Sequence, residues 1–124
     1  MAGLPPSARL RRAADFAALR HATGRASTTH FSLRWIPAAA GECRLGMAVS
    51  RKVSKRAVER NRIKRVVRES FRARREQLPG VDVLVIARTS AASTASPALR
   101  ADLDRVWQRL QSLKPASAPG TIGG

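Results

Sequence analysis

The stretch from Arg51 to Arg75 constrains this chain more than any other. It holds twelve basic residues, at 51, 52, 55, 56, 60, 62, 64, 65, 68, 72, 74 and 75. Only Glu59 and Glu69 oppose them, for a net charge of +10 over 25 residues. Within it, Ile63, Val66, Val67 and Phe71 recur at helical spacing, so one stripe of a helix can be buried. Ala57 or Val58 is expected to extend that stripe toward the N-terminus. Asn61, Arg65, Arg68 and Arg72 fall on a different, solvated face. Any fold built on this helix must bury the apolar stripe and leave the cationic face to a partner.

The rest of the chain agrees. Its 124 residues allow one domain. Twenty Arg and four Lys stand against eight Asp and Glu, for a formal net charge of +16. Such a charge opposes compaction by self-repulsion, and a polyanion relieves it. Nucleic acid is the common polyanion. The hydrophobic fraction of 44% is that of a globular protein, not of a disordered polycation.

Other function classes fit poorly. The single Cys43 cannot form an internal disulfide, and with only His21 and His30 beside it no structural zinc site can be built. No apolar run is long enough to span a membrane, and the N-terminal MAGLPPSARLRR lacks a secretory core, so a cytoplasmic protein is expected. His21 and His30 fall in polar loops and are expected to be solvated. The carboxylates are scattered, and no glycine-rich phosphate loop is present. No catalytic residue and no metal ligand set is therefore expected in the polypeptide.

Along the chain, residues 1–8 read as a flexible N-terminus, 9–110 as one domain and 111–124 as a disordered tail rich in Pro and Gly. A short helix is expected near 12–21, with Phe16 and Arg20 on one face and Leu10 on the buried side. Alternation predicts a strand over 31–36, with Phe31, Leu33 and Trp35 inward and Ser32, Arg34 and Ile36 outward. Residues 37–41 read as a turn or hairpin loop. The next strand, 44–50, puts Leu45, Met47 and Val49 on the core face and leaves Gly46, Ala48 and Ser50 on a small-residue face. After the basic helix, Leu78, Pro79 and Gly80 are expected to end it. Val81 to Ala87 is apolar on both faces, as in an interior, parallel strand. Residues 90–96 read as a loop, Ser96-Pro97 as an N-cap pair, and Leu99, Leu103, Val106, Trp107 and Leu110 as the buried face of a closing helix. The order predicts a two-layer α+β fold. Phe31, Leu33, Trp35, Phe71 and Trp107 are assigned to its core.

Within the basic helix, Arg60 and Arg62 diverge by about half a turn and can clamp phosphates near the helix N-terminal end, which itself favours anions. Asn61 between them can both donate and accept, which suits a sugar or a base edge.

The run from Val49 to Phe71, VSRKVSKRAVERNRIKRVVRESF, closely resembles the signature of the protein component of bacterial ribonuclease P. Asp15-Phe16, the segment 44–50 and the segment 81–87 fall in that family's order and spacing, so the resemblance covers roughly residues 9–110. It implies an RNA-dependent endoribonuclease that removes the 5′ leader of precursor transfer RNA. The RNA subunit would hold the catalytic Mg2+ and do the chemistry; the polypeptide alone would bind no metal and be inactive. The implied fold is a single-domain sandwich, a four-stranded sheet flanked by helices. Its βαβ crossover through the basic helix would be left-handed, against the usual rule.

The resemblance also assigns residues. Arg56, Arg60, Asn61, Arg62, Lys64, Arg65, Arg68 and Arg72 would meet the RNA subunit. Phe16, Arg20, Ser32, Arg34, Ser50, Arg51 and Lys52 would line a cleft for the single-stranded leader. Arg20 and Arg34 stand where family members often carry aromatics, so guanidinium stacking or phosphate contact would replace base stacking there. The implied partners are the catalytic RNA and precursor transfer RNA, with no membrane, and the chain would be a monomer within a ribonucleoprotein. The alternative is a small basic ribosomal-type or RNA-chaperone protein without a role in cleavage.

Overall fold

The computed structural model describes residues 8–10, 13–38 and 41–113. Seven regular elements follow in order: α1 (Ala13–Ala18), β1 (Gly24–Ser27), β2 (Phe31–Pro37), β3 (Arg44–Ala48), α2 (Ala57–Arg74), β4 (Val81–Ala87) and α3 (Ser96–Gln111). Short 3-10 turns, Leu19–His21, Arg75–Gln77 and Thr89–Ser93, extend α1, extend α2 and precede α3. The last of these occupies part of the expected loop at 90–96.

The strands form one mixed sheet in the order β1-β2-β4-β3. β4 is interior, as its two apolar faces require. It is parallel only to β3 and antiparallel to β2. The link from β2 to β3 is therefore not a hairpin, because β4 inserts between them. β3 and β4 are adjacent parallel strands joined through α2.

β1 escapes the sequence reading. Gly24, Arg25, Ala26 and Ser27 carry no apolar alternation, and an edge strand needs little of it. Gly24 pairs with Trp35, and a Cβ at Gly24 would lie 2.0 Å from the indole. The missing side chain thus lets Trp35 lie across the edge strand.

One sheet face carries the core. Phe31, Leu33, Trp35, Leu45, Val81, Val83, Val85 and Ala87 pack against Ile63, Val66, Val67 and Phe71 of α2 and Leu99, Leu103, Val106, Trp107 and Leu110 of α3. The Phe71 and Trp107 rings lie 5.5 Å apart at 59°, and Trp107 Nε1 donates to Ser70 Oγ at 2.7 Å, which satisfies both buried polar groups. Ala57 and Val58 do not extend this stripe. Both are exposed, Val58 by 64%.

Several boundaries differ from expectation. Ala8 is fully buried and Leu10 N donates to Leu45 O at 2.9 Å, so the chain is anchored from residue 8, and Leu10 is buried as expected. At the other end Gln111 closes α3 and Leu113 packs on the core, so 111–113 belong to the domain. Residues 1–7 and 114–124, where the rest of both expected tails falls, lie outside the described residues. Ser96 is not the N-cap of α3: Ala95 is, and the Ser96 hydroxyl accepts from Arg62. The helical run ends at Leu78, within the expected Leu78-Pro79-Gly80 stop. α2 passes into its 3-10 turn, and Gly80 is small because a Cβ there would lie 2.6 Å from the Gly41 carbonyl oxygen.

Candidate nucleic-acid interface

Two basic surfaces emerge, separated by the core. The first is the outer face of α2. At 3.6 residues per turn, Asn61, Arg65, Arg68 and Arg72 fall within a stripe about 60° wide. Asn61, Arg65 and Arg72 are exposed and Arg68 is partly so, while Ile63, Val66, Val67, Ser70 and Phe71 are buried behind them. Lys64 borders the stripe and is half-buried. Arg56, the N-cap, is exposed beside the first turn.

Arg60 and Arg62 flank this stripe on opposite sides, as their spacing predicts, but both are engaged within the protein. Arg60 Nη1 donates to Ser54 O at 3.0 Å. Arg62 donates from Nε to Glu59 Oε2 at 3.0 Å and from Nη1 to Ser96 Oγ at 3.0 Å. These bonds tie the start of α2 to the preceding turn and to α3.

The second surface is the sheet face opposite the core. Register places Arg25, Arg34, Leu84 and Gly46 side by side across the four strands, and Ser27, Ser32, Ile86 and Ala48 in the next row. A Cβ at Gly46 would lie 2.9 Å from the Phe16 ring and 3.2 Å from Leu10. α1 therefore lies over the β3 side of this face, and glycine at 46 makes room for Phe16. Leu10 and Leu19 are buried outside the main core, which anchors α1 and its following turn. Beside Phe16, the same face continues through Leu84 and Ile86 of β4 to Ser32 and Arg34 of β2.

At one end of this face Arg44 closes on Asp82, its parallel-strand neighbour, through bonds of 2.8 and 2.7 Å. Asp82 escapes the sequence reading, which counts β4 as apolar throughout. Arg20 is exposed on the turn after α1. Ser50, Arg51 and Lys52 are exposed in the turn between β3 and α2 rather than in the strand, which ends at Ala48. Ser50 O accepts from Val53 N at 3.0 Å, so the three belong to a turn beyond the end of β3 and not to the sheet face.

Six of the eight acidic groups, Glu42, Glu59, Glu69, Asp82, Asp102 and Asp104, are engaged by arginines. Among the described residues no three His, Cys, Asp or Glu side chains are grouped to hold a metal ion. Burial opposes the charge on Asp102, but hydrogen bonds from the Thr28 hydroxyl at 2.7 Å and the His30 N–H at 2.9 Å prevail and lower its pKa. His30 is not simply solvated: its Nδ1 lies 2.7 Å from Ser90 Oγ, whereas His21 is exposed. Burial pushes the Cys43 thiol up to about 12. No helix among the described residues is long and apolar enough to cross a membrane.

Comparison with known proteins shows the family and the fold. The model of the family described as Ribonuclease P matches residues 4–111. The ribonuclease P protein component of Xanthomonas campestris is 42% identical over 120 residues, covering 95% of this chain and 79% of the relative. That of Thioalkalivibrio sulfidiphilus is 38% identical over 89% of this chain and 92% of its own length. Among solved structures, the RNase P protein of Staphylococcus aureus superposes with a TM-score of 0.77 at 28% identity, covering 82% of this chain and 94% of that one. The RNase P protein of Thermotoga maritima gives 0.73 at 28% identity, over 82% and 96%. On this evidence the chain belongs to the ribonuclease P protein family.

Proposed function

We propose that this chain works as the protein subunit of ribonuclease P, in a ribonucleoprotein with the catalytic RNA that acts on precursor transfer RNA. The observation that carries the reading is the division of α2 into a buried apolar stripe and an outer stripe of Asn61, Arg65, Arg68 and Arg72, with Glu59 and Glu69 turned to Arg62 and Arg100. Such a helix can neutralise several phosphates of a folded RNA at once. Arg56 and Lys64 widen that face; Arg60 and Arg62 hold it in place.

The opposite sheet face, beside Phe16, serves as the groove for the 5′ leader. It is too cationic at Arg34 and Arg20 for a core, and the Phe16 ring at its side offers a surface for a base. Ser50, Arg51 and Lys52 add to it from the turn beyond β3. Division of labour follows from the side chains available. The arginine-bound carboxylates leave the polypeptide to bind and position, and the hydrolytic chemistry with its Mg2+ belongs to the RNA subunit.

The test is reconstitution. The purified chain should restore leader cleavage to a ribonuclease P RNA at low magnesium and show none alone. Phe16→Ala should weaken holoenzyme affinity for precursor with a leader of several nucleotides, and leave affinity for mature transfer RNA unchanged. Sustained cleavage at the mature 5′ end by RNA-free protein would overturn the division of labour. A chain that binds RNA but restores no cleavage would favour an RNA-chaperone role.

A further inference from the structure

Arg25 and Arg34 are direct partners across the antiparallel β1–β2 pair. Residues so placed have Cβ atoms about 5 Å apart and project to the same face. Like charges in that position are destabilising. Six arginines have a carboxylate partner, among them Arg44 with Asp82, Arg62 with Glu59 and Arg75 with Glu42. Among the described residues no such compensation is present for this pair. Arg25 is exposed, Arg34 half-buried, and neither forms a hydrogen bond or ion pair with the described residues. The nearest carboxylate on the same face of the neighbouring strands, Asp82, is already held by Arg44 through two bonds.

The position of the pair gives it a use. Its row continues through Leu84 to Gly46, where Phe16 lies. Two strand spacings, about 10 Å, separate Arg34 from Gly46. A single strand crossing the groove with a base toward Phe16 therefore brings its backbone to the β1–β2 side.

We infer that Arg25, with Arg34, forms a two-guanidinium clamp for one backbone phosphate of the single-stranded leader. Arg25 thereby becomes a positioning residue of the substrate groove. The inference rests on the leader-binding reading of that groove. Two planar cations converging on one phosphate match its geometry and cancel their own repulsion. The clamp reads the phosphate, so it favours any leader long enough to reach it, whatever its bases.

The experiment uses holoenzyme reconstituted with the RNA subunit. Arg25→Gln should weaken affinity for precursor with a leader of several nucleotides by about fivefold. Affinity for mature transfer RNA should not change. The thermal midpoint of the free protein should hold or rise, because a repulsion has been removed; a merely structural Arg25 would lower it. A set of precursors, each with one neutral methylphosphonate linkage in the leader, should contain one member on which Arg25→Gln has no further effect. Unchanged precursor affinity, equal losses for precursor and mature transfer RNA, or a loss that persists on every member would each overturn the clamp. Phe16→Ala and Arg34→Gln separate the two levels. If they too leave the preference for precursor intact, the groove reading itself fails; if they reduce it and Arg25→Gln does not, only the clamp fails.

Discussion

Arg62 Nη1 donates to the Ser96 hydroxyl at 3.0 Å, and this one bond joins the second turn of α2 to the first residue of α3. The same guanidinium holds Glu59 Oε2 and reaches the Ala92 carbonyl. An arginine from the most basic segment of the chain is thus directed inward, across the helix pair. Its neighbour along the helix, Arg65, points to solvent. The two residues therefore have separable roles.

Arg62→Ala should lower stability by about 1 kcal/mol, a charged hydrogen-bond contribution reduced because the group is 25% exposed. Arg65→Ala should leave the urea midpoint unchanged. It should instead weaken binding to the RNA subunit and reduce the slope of log affinity against log salt by about 0.7–0.9. Urea titrations and a salt series on both variants measure this. A stable Arg62→Ala, or an Arg65→Ala with unaltered slope, would contradict the assignment.

Asp102 links the β1–β2 turn to α3 through Thr28 and His30. Its folded pKa lies below the ordinary 3.8. A carboxylate with a depressed pKa contributes stability above its unfolded pKa and loses it as pH falls through the folded pKa. Asp102→Asn should therefore be less stable than the parent at neutral pH. The difference should close on acidification below 3.8. Urea midpoints at a series of pH values read this directly, and a gap that stays constant into acid would show that the charge contributes nothing.

Cys43 is 3% exposed with its thiol raised to about 12. Only the thiolate is nucleophilic, so at neutral pH iodoacetamide should label native protein slowly and urea-unfolded protein rapidly. The raised pKa also sets a pH dependence of opposite sign to that of Asp102. Its contribution is full below the unfolded value and is lost as pH rises from 9.0 toward 12. Rapid native labelling at neutral pH would show the thiol accessible.

Gly24→Ala should destabilise by about 1–3 kcal/mol, because the new Cβ would sit 2.0 Å from the Trp35 indole and force the ring off the edge strand. Gly46→Ala meets the end of the Phe16 ring at 2.9 Å instead, a side chain on a short helix that can shift. Gly46→Ala should therefore affect leader affinity more than stability. Urea midpoints and precursor affinities for both variants check the pair of outcomes.

Local pattern determined a large part of this molecule. The 3.6-residue recurrence of Ile63, Val66, Val67 and Phe71 marks both faces of α2, since burying one stripe leaves the residues opposite it in solvent. Alternation in Phe31, Leu33 and Trp35 likewise places Ser32 and Arg34 on the other face. The motif from Val49 to Phe71 carries the family. Tertiary structure decided what pattern cannot encode. Strand order is one such matter: β4 enters between β2 and β3, a pairing of residues far apart in sequence. β1 is another, because an edge strand over a glycine is defined by Trp35 and not by its own residues. The fate of each arginine is the third. Arg60 and Arg62 turn to internal acceptors, Arg44 closes on Asp82, and Arg25 meets Arg34. A guanidinium on a long, flexible stem takes whichever acceptor the assembled fold brings within reach, and only the assembled fold leaves a pair of them facing each other without one.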